Sequence, residues 1–266
     1  MNAQRLLVLQ ADDFGSSNAA NRGVVRAFTQ GCLTQSNLMA PCAWFGEAAK
    51  LAKEHGIPVG VHVTLTCEYP EYHFGPLTGA KALTRKGAPT AFPLATNDLP
   101  AEADDAVYEE VAAQIERVLA AGIKPTHLDA HMGAFPRWDG AFAKAALRIW
   151  ERFRIPFLRL PEKAGLPAEL APLNAQGFKM GRGSLAERKP AFRAALRAAP
   201  PGVHYAITHA ALLTPELQAL ALRPGFDTDR DEDLALLCDP EAKAWIEEAG
   251  FERVGYAQAL ERFGAA

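Results

Sequence analysis

Short apolar runs recur along the chain, separated by longer segments in which apolar residues return every three or four positions. The runs read RLLVLQ at 5–10, LTQSNLMA at 33–40, IPVGVHVTLT at 57–66, PTHLDAHM at 125–132, IPFLRLP at 155–161 and GVHYAITHA at 202–210. Apolar runs this short, rich in Val, Ile and Leu, predict buried strands. Between them, NAANRGVVRAFTQG (18–31) and FGEAAKLAKEHG (45–56) each close on glycine, a common way for a helix to stop. In AEADDAVYEEVAAQIERVLAAG (101–122), Val107, Val111, Ile115 and Val118 form a single stripe, so this helix has one face to bury. Strand then helix, repeated, predicts an α/β fold of parallel strands joined by crossover helices.

Two stretches break the rhythm. Residues 67–100 and 161–183 are rich in Pro and Gly without clear periodicity, and both are expected to be loops over a site. No repeat, low-complexity tract or linker argues for a second unit, so residues 1–266 are expected to form one domain.

Composition narrows the partner. With 49% hydrophobic residues, 22% charged residues and a net charge of −3, the chain makes no electrostatic case for nucleic acid or a membrane surface. Its longest apolar stretches fall far short of the roughly 20 residues a membrane span needs. The four cysteines, Cys32, Cys42, Cys67 and Cys238, form no C-x-x-C pair, and the N-terminus shows no basic start leading into an apolar core and cleavage site. A reducing cytoplasm and a small-molecule partner are the expectation.

The candidate chemistry lies where predicted strands end. Asp12 and Asp13 are adjacent after RLLVLQ, and two like charges leaving a buried strand call for something positive nearby. His62 lies in VGVHVTLT, and His127, Asp129 and His131 in THLDAHMG. On a strand the last three would share one face, with about 7 Å between successive members. Each piece alone has a structural reading: His62 as a satisfied core histidine, Asp12 and Asp13 as a solvated turn. H-x-D-x-H is stronger, because three polar groups on one face of an apolar strand need a common reason. Acidic and imidazole groups converging from three elements favour a metal site.

Taken in order, ADDFG, GVHVTLT, PTHLDAH, a late THAALL and a closing RDEDLALLCDP resemble the ChbG/HpnK, or YdjC-like, carbohydrate deacetylases over most of the chain. The resemblance implies an irregular (β/α) barrel related to polysaccharide deacetylases, which removes an acetyl group from an N-acetylated sugar with the help of one divalent metal, Mg²⁺ or Zn²⁺. Carried over by position, it implies Asp13, His62 and His131 as ligands and Asp12 as catalytic base. The chain departs from the family's H-x-D-x-H-x-H at Gly133, which puts in question any contact made by that last histidine. A homodimer is left open, as are hydrolysis of another acyl or ester bond and an inactive sugar-binding module.

Amide hydrolysis also needs a proton for the departing amine, and His209, at the end of HYAITHA, is the candidate general acid. Arg159, in the apolar PFLRLP, is expected to meet a carboxylate, either Asp12, as in related deacetylases, or one in a peripheral ion pair. His127 and Asp129 are expected to hold the ligands' other ring nitrogens. His55 and His204 are read as structural. Tyr69, Tyr72, His73 and Trp138 lie in loops beside the motifs and are read first as packing, with stacking on a sugar as the alternative.

Overall fold

A strand that is apolar on both faces can be buried on both, and the longest such strand, β1 (Arg5–Phe14), stands at the centre of the sheet. The computed structural model describes residues 4–95, 103–133, 141–159 and 166–263. Trp138 and the portions 96–100 and 161–165 of the two irregular stretches lie outside the described residues. Along one edge of β1 runs β6 (Gly202–Thr208), paired from Arg5 to Ala11. The other edge takes β7 (Glu252–Arg253) near its start and β2 (Gln35–Leu38) from Gln10 onward. With β3 (Val59–Val63), β4 (Leu128–Ala130) and β5 (Ala175–Gly177), the strands form a parallel sheet of order β4-β3-β2-β1-β6-β5. It curls into an irregular (β/α) barrel with helices outside.

The two-residue strand period sorts side chains between two compartments. Leu7, Leu9, Ala11, Val59, Val61, Val63 and Leu128 pack outward against the helices. Inside, Leu6 and Val8 meet Val203, Tyr205, Leu158, Leu173, Val254 and Tyr256 in an apolar plug. The same inward face continues toward the C-terminal strand ends with Gln10, Asp12, Gln35, Asn37, His62 and Asp129, each under 9% exposed. The barrel is therefore apolar at its base and polar at its top.

The helices follow the expected pattern. In α1 (Asn18–Gln30) the Ser17 hydroxyl accepts the Ala20 amide, and Glu216 accepts the amides of Asn18 and Ala19. In α2 (Phe45–His55) the chain stops at Gly56, which takes a left-handed φ of 63°. Gly31, after α1, is not left-handed. It is there because a Cβ would lie 2.4 Å from the Leu237 carbonyl oxygen, so α7 (Phe226–Cys238) approaches too closely for any side chain. In α3 (Asp104–Ala120) the Val107, Val111, Ile115 and Val118 stripe is buried as expected, together with Glu110 and Gln114. His55 ends α2, and the remaining helices are α4 (Ala141–Phe153), α5 (Leu185–Ala198), α6 (Pro215–Ala219), α8 (Pro240–Glu248) and α9 (Tyr256–Phe263).

Two expectations are corrected. The stretch 161–183 is not wholly loop, because β5 pairs with β6 there. Among the described residues of the run 155–161 the pairing is an isolated bridge, Phe157 to Leu128, since Pro156 has no amide proton with which to extend a ladder toward its start. In the stretch 67–100, a short 3₁₀ turn covers Lys81–Leu83.

Gly31→Ala is expected to cost about 1–3 kcal/mol in urea unfolding, because its Cβ meets backbone that cannot move aside. Gly56→Ala, with open space around it, should cost only the left-handed penalty of about 1–2 kcal/mol. A neutral Gly31→Ala would contradict the close α1–α7 approach.

Candidate metal centre

Adjacent residues on a regular strand point to opposite faces, yet Asp12 and Asp13 both line one cleft. The reason is local. The β1–β2 register shifts between Ala11 and Phe14, and Asp13 adopts a left-handed φ of 67°, a conformation Asp tolerates better than most residues. Ser36 closes the irregularity by donating its hydroxyl to the Ala11 carbonyl at 2.6 Å. At β4 the chain likewise leaves the strand at His131, and Met132 follows at φ 51°. Both turns tip a side chain over the barrel mouth.

The cleft, of about 780 Å³, is lined at its floor by Asp12, Asp13, His62, Glu68, His131 and His209. Asp13 Oδ1 lies 3.6 Å from His62 Nε2 and 3.3 Å from His131 Nδ1, and it is a buried oxygen with no hydrogen-bond partner. The opposite ring nitrogens are held by carboxylates. His62 Nδ1 donates to Asp129 at 2.6 Å, and His131 Nε2 donates to Glu68 at 2.9 Å. This leaves the facing nitrogens, Nε2 of His62 and Nδ1 of His131, beside the orphaned oxygen.

A second triad, Asp12, His62 and Asp129, also has its ligand atoms close together. Oδ1 of Asp12 and both oxygens of Asp129 are already engaged. The Asn37 amide donates to Asp12 at 2.8 Å and to Asp129 at 2.6 Å, and the Gln10 amide donates to the same two carboxylates at 2.8 and 2.6 Å. Gln10 is oriented by Gln35, which in turn accepts the Tyr256 amide. A relay of amides thus satisfies the lower carboxylates. The upper triad, Asp13, His62 and His131, is the set whose donor chemistry fits a divalent ion: two imidazoles and a carboxylate, with one oxygen unsatisfied.

Electrostatics point the same way. Burial pushes the Asp12 carboxyl up, His62 opposes it, and Asp129 and Asp13 add to burial, for a net pKa of about 6. Burial would also raise Asp13, but the imidazoles of His131 and His62 facing it, and then the charges of His209 and Arg230, take it well below the usual carboxylate range. Burial disfavours charge on His62, yet Asp129 and Asp12 win and raise it well above an ordinary histidine. His131 follows suit: burial lowers it, Glu68 and Asp13 raise it, and it stands at about 9. Positive charge is favoured between these groups.

The positive neighbour expected for the aspartate pair is Arg230, on α7, whose guanidinium donates to Asp13 Oδ2 at 2.8 Å and lies over the Phe226 ring. Arg159 does not fill that role. It is exposed, lines the cleft, and donates to the Tyr205 hydroxyl at 2.9 Å, and among the described residues it forms neither the Asp12 pair nor a peripheral ion pair; an exposed guanidinium stays hydrated and needs no carboxylate. His127 is also corrected. It is buried beneath the site over Gly60, bonded through Nδ1 to Thr126 and packed on Tyr256, and burial lowers it to about 4. It bonds the ring nitrogens of neither His62 nor His131. Asp129 does hold His62.

His209 half-emerges into the cleft, and its backbone amide donates to Asp233, which is itself paired with the buried Arg188. His204, on the opposite strand face, bonds the Pro200 carbonyl. Tyr69, Tyr72 and Phe74 form an aromatic cluster, Tyr72 donates to the Ser16 carbonyl, and His73 meets the Pro70 carbonyl. Gly133 lines the cleft at φ 63°. Sequence reasoning missed Gln10, Asn37, Glu68 and Arg230. Polar amides inside the runs RLLVLQ and LTQSNLMA were the available signal, since a buried amide needs partners; Arg230 stood only as the first residue of the closing RDEDLALLCDP, and Glu68 carried no signal.

Comparison with known proteins agrees with this architecture. Residues 6–248 match the profile of the YdjC-like protein family. A carbohydrate deacetylase of Thermus thermophilus is 33% identical over 263 residues, spanning 93% of this chain and 92% of that protein. One from Brevibacillus brevis is 34% identical over 179 residues, 65% of this chain and 67% of that protein. Among solved structures, a protein of Enterococcus faecalis thought to cleave cellobiose phosphate superposes with a TM-score of 0.76 at 20% identity, covering 98% of this chain and all of that one.

The amide relay predicts a pH-dependent defect. Asn37→Leu removes the donor between Asp12 and Asp129 and should cost at least about 1–3 kcal/mol in chelator-treated protein. Without that donor the pair's upper pKa rises further above its unfolded value, so the native state retains a proton that the unfolded state releases, and the deficit should grow from pH 5 to pH 8. Equal deficits at both values would mean that Asn37 acts by packing alone.

Proposed function

Because the chain belongs to the YdjC-like protein family, we propose that it hydrolyses the acetamide of an N-acetylated carbohydrate, using a divalent ion held by Asp13, His62 and His131. The observation that carries this reading is the unsatisfied Asp13 Oδ1, flanked by two ring nitrogens whose far sides are held by carboxylates. The names of the relatives support the substrate class, and the cleft has the size of a small-ligand site.

Such an ion supplies Lewis-acid polarisation of the acetyl carbonyl and of the attacking water. The chain's own residues do the rest. Asp12 stands beside the triad with its Oδ1 held by Gln10 and Asn37, and takes the proton that the water loses as it attacks. His209 faces the same cleft and donates a proton to the amine nitrogen as the C–N bond breaks. Arg230 keeps Asp13 ionised through its bond to Oδ2, leaving Oδ1 for the centre. Pro70, Ile207, Leu222 and Phe226 give the cleft an apolar wall against which a sugar ring can lie. Arg159 stays available at the rim, with guanidinium donors for a substrate hydroxyl or carbonyl.

Acetate release over a panel of N-acetylated mono- and oligosaccharides, after reloading with Zn²⁺ or Mg²⁺, tests the reading directly. Chelation should abolish turnover and reloading restore it. Release from ester but not amide substrates would favour another acyl hydrolase, and tight saccharide binding with no product at any metal loading would favour a binding module.

The adjacent aspartates should part company on substitution. Asp12→Asn is expected to keep the metal and lose roughly 10²- to 10⁴-fold in rate, because an amide cannot accept the water's proton. Asp13→Asn should lose metal first. Metal stoichiometry and acetate release on both variants decide the matter, and the opposite pattern would exchange the two roles.

A further inference from the structure

An irregular loop is a soft support for a metal centre, yet the carboxylate that holds His131 comes from one. Glu68 lies five residues past the end of β3, in the stretch 67–95, and bonds His131 Nε2 at 2.9 Å while His131 Nδ1 faces Asp13. Phe74, six residues further on, packs edge-on against the same imidazole at 6.2 Å. The loop therefore supplies both the hydrogen bond and one packing surface that fix the ring.

What keeps the loop there is buried beneath it. Glu110 is fully buried on α3, and its carboxylate accepts the Leu77 amide at 3.1 Å, the Thr78 amide at 3.0 Å and the Thr78 hydroxyl at 2.9 Å. One turn along the same face, Gln114 donates to Glu110 at 2.8 Å and clamps Thr64 through both its amide and its carbonyl, at 2.9 and 2.7 Å. Both ends of the segment 64–78, with Glu68 between them, are thus tied to one helix face. The outer part is closed by Cys67 to Pro93 and Phe92 to Phe74 backbone bonds. A carboxylate buried to this degree among backbone donors is costly unless every bond is made, so the clamp holds as a unit.

We propose that the segment 64–78 is part of the metal centre: Glu68 is the positioning residue for His131, and the Glu110–Gln114 clamp holds it in place, so that loop order and metal affinity are one coupled equilibrium. This rests on the metal-site reading above. Coupling is reciprocal, so a bound ion must protect the loop as much as the ordered loop strengthens the ion's binding. It also means that the loop is more than a wall of the substrate cleft, because shortening it would weaken metal retention along with substrate preference.

The test reads metal and loop, not turnover. Zn²⁺ affinity is measured by competition with a chromophoric chelator, and amide hydrogen exchange over 64–79 is followed with and without Zn²⁺. Glu68→Ala should weaken Zn²⁺ binding about 10- to 100-fold, with Glu68→Gln, which keeps an acceptor, in between. Thr78→Val, which removes one clamp bond, no charge and no contact with a ligand, should weaken it by up to about fivefold. In the wild-type protein Zn²⁺ should slow exchange over the segment, and in Glu68→Ala it should not. Unchanged affinity in Glu68→Ala overturns the proposal, and so does exchange that ignores Zn²⁺ in the wild-type protein. Should Glu68→Ala fail to fold, Glu68→Gln and Thr78→Val carry the same comparison. A wild-type protein that binds no Zn²⁺ would instead overturn the metal reading from which the proposal starts.

Discussion

Four carboxylates, those of Asp12, Asp13, Glu68 and Asp129, crowd two buried imidazoles at the mouth of the barrel, and the rest of the structure is arranged to make that tolerable. Desolvated like charges repel strongly, and a cluster of this kind persists only when donors or cations reach each oxygen. Gln10 and Asn37 serve the lower pair and Arg230 serves the outer oxygen of Asp13. Oδ1 of Asp13, buried and without a hydrogen bond, is where a cation would be compensated best. The same field that favours a proton on His62 and His131 would favour a divalent cation in its place, and binding such a cation would release those protons.

The barrel separates stability from chemistry along a single axis. Inward-facing positions of β1 and β6 begin as Leu6, Val8, Val203 and Tyr205 and end as Gln10, Asp12 and His209. The apolar base supplies burial without polar cost, and the polar top is supported by a hydrogen-bond relay that starts at the Tyr256 amide and passes through Gln35 and Gln10 to Asp12 and Asp129. His127 marks the boundary. Held neutral by burial, it belongs to the base and not to the centre, although it shares a strand face with Asp129.

Groups that complete the site come from far away in the chain. Arg230 arrives from α7 and Glu68 from a loop clamped by α3, while Asp233 and Arg188 brace the segment that carries His209. Because these supports come from elements that also pack on the barrel, a change in helix packing is felt at the centre. That is the physical basis for expecting substitutions outside the cleft to alter it.

Much of this protein was determined by sequence alone. Periodicity of two and of three to four reports which face of a local element is buried, and that sufficed for the main strands and helices and for the α/β class. Asp12, Asp13, His62 and His131 stood out because charged or imidazole groups at the ends of apolar runs need a shared partner. The tertiary structure decided what spacing along the chain does not encode. A register shift and a left-handed Asp13 turned two adjacent carboxylates into one cleft, against the strand alternation. Exposure freed Arg159 from the ion pair its apolar surroundings implied, and the position was taken by Arg230, 217 residues from Asp13, because only the crossover of α7 brings it there. Glu68 was invisible for the same reason: an irregular loop has no period to read, and its place beside His131 is set by long-range bonds to a buried carboxylate on another element.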